Sequence, residues 1–298
     1  MLVYFLYFVY YIKIIKIIKI YYTINMYLQV CTIILTLSLI TIVIITIITP
    51  NESFKFTSND LIPIENPYNK KDKILWLPET HPFIQKNFPG VFHFDLDIKS
   101  DIIKQALEFP KNSCVIDCGA HIGDGSIPIA HALMKNKRSD VTVYALDPSK
   151  HKCEYMETIK KANDIKNLVI LNAGLSDKQQ DLYISKENAN NAGENTGGWG
   201  WSEQKQKKND IKDSSYFVTL DSLVENKTIK QPIAYIHLDV EGMELQALKG
   251  GLETLKRYKP YLSIEEHDVN NKDILKFLSS INYKFDKRLE PNNLYSIK

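Results

Sequence analysis

From about residue 112 onward, short apolar runs alternate with stretches in which apolar residues recur every three to four positions. That is the pattern of parallel strands buried on both faces and of amphipathic helices covering them. The runs predict strands over 114–117, 141–146, 168–171, 233–238 and 261–264, and helices near 125–135, 150–163, 242–258 and 273–281. Two last apolar stretches, 283–286 and 294–297, predict a hairpin closing an α/β sheet with helices on both faces. Residues 50–111 have scattered prolines (Pro63, Pro67, Pro78, Pro82, Pro89) and weak periodicity, which predicts a linker merging into an irregular cap ahead of a domain at 112–298. The polar stretch 185–215 breaks the rhythm, yet it contains Gly197-Gly198-Trp199-Gly200-Trp201. Long loops in compact domains are functional or disordered, and two tryptophans weigh against simple disorder: they either stack on a sugar face or pin the loop.

The first 49 residues follow another rule. No charge occurs between Lys19 and Glu52, and residues 28–48 supply 21 positions rich in Ile, Leu, Val and Thr. At about 1.5 Å per residue such a helix crosses the roughly 30 Å of bilayer hydrocarbon. A cleaved signal peptide needs a shorter apolar core and a small-residue cleavage site, so the leader 1–49 is expected to be a single-pass transmembrane anchor. Lys13, Lys16 and Lys19 precede the span, which places the large domain on the lumenal or exterior side. The aromatic start, MLVYFLYFVYYI, leaves a second topology open: a hairpin with the main span would reverse the orientation. Asn51-Glu52-Ser53 and Asn226-Lys227-Thr228 are sequons that would report a lumenal domain.

Composition narrows the function. With 44% hydrophobic and 24% charged residues the chain of 298 is globular, and the formal charge of +2 becomes −1 once the three leader lysines are set aside. Nothing in that balance supports binding to nucleic acid. Cys31, Cys114, Cys118 and Cys153 form neither a disulfide framework nor a close metal-binding pair, since Cys114 and Cys118 lie about 13 Å apart along a strand. No metal is expected.

The chemistry concentrates at strand ends. After the first strand comes Asp117-Cys118-Gly119-Ala120-His121-Ile122-Gly123-Asp124-Gly125-Ser126, a glycine-rich turn at the edge where α/β sheets bind ligands. A dinucleotide fingerprint would read GxGxxG over the helix N-terminus. Here DxGxxxG puts a carboxylate in the strand end, which suits a cationic or zwitterionic ligand better than a pyrophosphate. Asp147 ends the second strand, where an acidic side chain can accept hydrogen bonds from both ribose hydroxyls of an adenosine group; alternatively it caps the next helix, with Pro148 in the first turn. The fourth strand ends in Asp239-Val240-Glu241-Gly242 and the fifth in Glu265-Glu266-His267, with Glu265 and His267 on one face and Glu266 on the other.

VIDCGAHIGDGS, ALDPS, LNAGLSD, VTLDSL, HLDVEGMELQALKGG and KPYLSIEEH, in that order over about 112–267, resemble the FkbM-type S-adenosylmethionine-dependent methyltransferases. The resemblance implies a Rossmann-like seven-stranded methyltransferase sheet, S-adenosyl-L-methionine as cofactor, and O-methylation of a hydroxyl on a sugar, glycan or glycolipid. It places Asp117, Gly119, Ala120, His121, Gly123, Asp147, Asn172 and Ala173 around the cofactor. Two positions depart from it: members commonly have Glu where Asp147 stands and Lys where His237 stands.

Methyl transfer from a sulfonium needs orientation and a group that takes the hydroxyl proton. Asp239 is the first candidate, followed by His267, Glu241 and Glu265. Helix-entry capping is the alternative for Asp239 and Glu241, and a hydrogen bond to a neighbouring carbonyl the alternative for His267; His121 and His131 are weaker candidates. A non-catalytic anchored module that keeps the fold and binds a glycan or a protein is the competing function.

Overall fold

The computed structural model describes residues 58–66, 69–78, 81, 96–184, 201–202, 214–266 and 271–297. The expected span at 28–48 and the sequon at Asn51 lie outside them. No helix among the described residues is long and apolar enough to cross a membrane.

In chain order come the hairpin β1 (Ile62–Asn66) and β2 (Asn69–Trp76), helix α1 (Leu96–Glu108), β3 (Cys114–Cys118), α2 (Ser126–Lys135), β4 (Thr142–Leu146), α3 (Lys150–Ala162) and β5 (Leu168–Leu171). A small sheet follows, built from β6 (Gly174–Leu175), β7 (Gln180–Ile184), β8 (Trp201–Ser202) and β9 (Ser215–Val218). The chain continues through α4 (Leu220–Glu225), β10 (Ile233–Leu238), α5 (Glu244–Lys249), α6 (Leu252–Tyr258), β11 (Tyr261–Glu265), α7 (Lys272–Ser280), β12 (Lys284–Leu289) and β13 (Asn292–Ser296).

The seven main strands lie in the order β12-β13-β11-β10-β3-β4-β5. Six run in one direction and β13 runs against them between β11 and β12, so the sheet is mixed and Rossmann-like. Alternation along each strand sorts the core into two layers. Val115, Val143, Ala145 and Tyr235 face α1, α2, α3 and the first hairpin. Ile116, Tyr144, Leu146, Ile236 and Leu238 face α4 to α7. The chain builds outward from β3 to β5, then returns to β10 on the other side of β3. That reversal opens a crevice at the carboxyl ends of β3 and β10.

Two expectations change. The region before β3 is regular where it is described. Ile98, Ile102, Ile103 and Ala106 line one face of α1, and Ile74, Trp76 and Leu77 of the hairpin are buried with them. Short periodic stretches between prolines had concealed both elements. The helix expected over 242–258 is two helices, broken at Gly250-Gly251. A Cβ on Gly250 would lie 2.0 Å from the Ser176 carbonyl oxygen, and the Asp221 carboxylate accepts from Glu253 N (3.1 Å) and Thr254 N (2.8 Å), capping α6. A side chain of α4 therefore starts α6, while the close approach of the Ser176 backbone marks the break before it.

Candidate functional site

The β3 turn is locked by its own backbone. Gly119 adopts φ +79°, and a Cβ there would fall 1.6 Å from the Asp239 carbonyl oxygen, so only glycine lets the β3 and β10 turns touch. Gly119 N and Ala120 N both donate to Leu146 O at 2.9 Å, Gly123 N donates to Ala120 O at 2.8 Å, and His121 N donates to Asp147 Oδ2 at 3.0 Å. These four amides are consumed inside the protein and are not available to cradle a phosphate. Asp117 is buried on the crevice side of β3, where Ser126 Oγ donates to its Oδ2.

Asp147 does not cap α3. The cap is Ser149, whose side chain accepts from Lys152 N, while Asp147 Oδ1 accepts from Ser149 N at 2.8 Å. Its carboxylate joins the glycine turn to α3, with Lys152 Nζ 3.9 Å away. Asn172, at the end of β5, donates to the Asp147 carbonyl at 3.1 Å, and Ala173 follows it. All the expected cofactor residues thus meet at the ends of β3, β4 and β5.

A charged chain that the sequence reading missed buttresses the turn. Lys99 of α1 pairs with Asp124 at 2.9 Å, and His121 Nδ1 lies 3.7 Å from the other oxygen of Asp124. Burial alone would raise Asp124, but Lys99 and then the His121 hydrogen bond outweigh it and hold the carboxyl well below the usual range. Burial, and next the charge of Lys152, lower His121. The depressed carboxyl of Asp124 adds stability above about pH 4 that is lost as pH falls further. Lys99→Met strands Asp124 and should cost about 3 kcal/mol at pH 7. It should also reverse the sign of the acid dependence, because a desolvated, unpaired carboxyl is raised instead. Urea unfolding of both proteins at about pH 3 and pH 7 reads both effects; a loss of stability in the variant that is the same at both pH values would refute the buttress.

Across the crevice, Asp239 and Glu265 stand on the face of the sheet that carries Asp117, His237 and Ser263. Burial first, then a hydrogen bond with Glu265 and its charge, push Asp239 well above the ordinary carboxylate range, against the opposing influence of His237. Asp239 therefore keeps a proton, shared with Glu265 through that hydrogen bond, well above the pH at which an exposed aspartate loses its own. Oxygens of Asp239, Glu241 and Glu265 lie within 4.8 Å of one another. Helix α5 begins at Glu244 behind Met243, whose own side chain provides no cap. His237, buried between β3 and β11, has Nδ1 2.8 Å from Ser263 Oγ.

His267 and Trp199 lie outside the described residues. His131 is a core histidine, its Nδ1 3.1 Å from Asn66 Nδ2. Ser126 and Ser263, like Lys99 and Lys152, escaped the sequence reading because only tertiary packing brings them to the site.

The Methyltransferase FkbM domain family matches residues 117–285. No curated protein matches the chain. Among solved structures, the chain resembles the methyltransferase FkbM of Methylobacillus flagellatus KT at 16% identity and a TM-score of 0.43, covering 72% of this chain and 48% of that one. It thus spans about half the length of that protein. A SAM-dependent methyltransferase from Aquifex aeolicus shares 14% identity over 68% of this chain and 90% of that one, with a TM-score of 0.37. A Streptococcus mutans protein in complex with SAH shares 13% over 69% and 97%, with a TM-score of 0.39.

Proposed function

We propose, on the premise that the chain belongs to the FkbM methyltransferase family, which matches it over more than half its length, that it moves a methyl group from S-adenosylmethionine to a hydroxyl of a sugar, glycan or glycolipid. The observation that carries the cofactor reading is the state of the β3 turn. Its amides at Gly119, Ala120, His121 and Gly123 are spent internally, while Asp117, Asp239 and Glu265 line the crevice. Such a site favours a ligand with a sulfonium and an ammonium over a dinucleotide phosphate. Asp147 serves the ribose: a carboxylate offers about four acceptor positions, and two are taken by backbone N–H groups.

The acceptor hydroxyl approaches from the β10 and β11 side. There the Asp239 and Glu265 pair takes its proton as the new C–O bond forms, because a free alcohol is far too weak an acid to ionise beforehand. Turnover should therefore rise with pH through the raised pKa of Asp239. The apolar leader supports membrane attachment, and its lysines support a lumenal or exterior domain. Protease protection of intact vesicles tests that topology, and digestion without detergent would overturn it.

Calorimetry with S-adenosylhomocysteine tests the activity class. Micromolar binding is expected, whereas none at millimolar ligand would favour the non-catalytic binding module. Asp147→Ala should weaken that binding by about 1–3 kcal/mol. Asp147→Asn, which keeps one acceptor oxygen, should lose less. Unchanged affinity in a folded Asp147→Ala variant would confine Asp147 to joining the turn to α3.

A further inference from the structure

The carboxylates at the β10 and β11 ends have a neighbour on the closing hairpin. Asn292 of β13 lies directly opposite Glu265 in the antiparallel register. Opposed residues of an antiparallel pair project to the same face. The assignment is consistent along the strand, since Leu294 packs in the layer of Tyr235 while Tyr295 packs in the opposite one. Asn292 is 1% exposed, and its Oδ1 is buried with no hydrogen-bond partner. A buried carbonyl oxygen without a donor costs about 1–3 kcal/mol, and across from the Glu265 carboxylate it is further disfavoured by like partial charge. A cation held by the carboxylates would give that oxygen its missing partner.

We propose that Asp239, Glu241, Glu265 and Asn292 form a binding site for a hard divalent cation of the magnesium or manganese class. Oxygen donors alone, three of them anionic, suit such ions, whereas zinc and copper prefer nitrogen and sulfur. The cysteines take no part: Cys114, Cys118 and Cys153 are buried in the core. The proposal deepens the methyl-transfer reading. A cation held at the β10 end would orient the acceptor oxygen and ease loss of its proton, which a carboxylate oxygen of Asp239 or Glu265 left off the ion would take as the C–O bond forms. Acceptors that offer two adjacent oxygens, as sugars do, fit that arrangement best.

The test uses the full-length chain in detergent, with Mn²⁺ as a paramagnetic probe and Mg²⁺ as competitor. One saturable Mn²⁺ site, displaced by Mg²⁺, is expected. Asp239→Asn and Glu265→Gln should each weaken it at least tenfold, on the scale by which even supporting groups alter metal affinity. Asn292→Leu should also weaken it, while Asn292→Asp adds an anionic oxygen and should tighten it. If the Asn292 amide instead donates to Glu265, Asn292→Asp would place a like charge there and weaken binding, which overturns its role as ligand. S-adenosylhomocysteine binding, measured on the same samples, keeps the two readings apart. No Mn²⁺ binding by protein that still binds S-adenosylhomocysteine refutes the cation site and spares the methyltransferase. Mn²⁺ binding without the cofactor product does the reverse.

Discussion

Asp239→Asn is expected to abolish turnover while making the protein more stable at neutral pH. The carboxylate acts on the acceptor hydroxyl, and losing a positioned acid–base group costs about 10² to 10⁴ in rate. Asparagine keeps the size of the side chain and its amide can donate to Glu265, so it imitates the protonated aspartate. Stability follows from linkage. The folded pKa of Asp239 is raised, so its contribution is fully present below the unfolded value of about 4 and is lost as pH rises through the folded one. Asparagine has no proton to lose and escapes that loss. In EDTA, the variant should melt above the wild type at pH 8 and level with it near pH 4, with S-adenosylhomocysteine affinity little changed. Wild-type turnover would remove Asp239 from the chemistry, and a lower melting temperature at pH 8 would contradict the shared proton.

Gly119→Ala should be the most damaging single substitution in the crevice. Its Cβ would sit 1.6 Å from the Asp239 carbonyl oxygen and 2.7 Å from the carbonyl carbon, both backbone atoms that cannot swing aside. The left-handed φ adds about 1–2 kcal/mol, and the clash should bring the total beyond about 4 kcal/mol, the range reserved for gross local disruption. Gly123→Ala is the control. Its φ is also positive, but its new methyl would meet the Ile127 and Met156 side chains at 2.7 and 2.8 Å, and both can rotate. Urea unfolding should rank the two well apart. A Gly119→Ala protein within 1 kcal/mol of wild type would show that the β3 and β10 turns are not held as close as described.

The two variants touch opposite sides of a site that was unequally legible in the sequence. The five parallel strands could be read because each is a short apolar run buried on both faces, as all five residues of β3 are. The glycine turn and the acidic strand tips could be read because a sheet edge is where their chemistry has a use. Lys99 could not, since a lysine on a helix is ordinarily solvated and only the fold brings it against Asp124. Asn292 stayed hidden for a similar reason: it precedes the apolar residues that predicted its strand, and its value comes from its position across from Glu265. The break at Gly250-Gly251 was invisible because amphipathic periodicity runs through it, and the Ser176 backbone that imposes it is distant in sequence.

The antiparallel seat of β13 has a bearing on biogenesis. During vectorial synthesis β3, β4, β10 and β11 all emerge before it, and until it arrives β11 presents an open row of amide and carbonyl groups beside the apolar surfaces of Leu262 and Ile264. Such an unsatisfied edge is a template for pairing with other nascent chains. A chain cut only at its far end, at residue 285 where the family match stops, would keep the β3 turn yet carry that sticky border permanently. Its yield in soluble form should therefore suffer before its affinity for cofactor does.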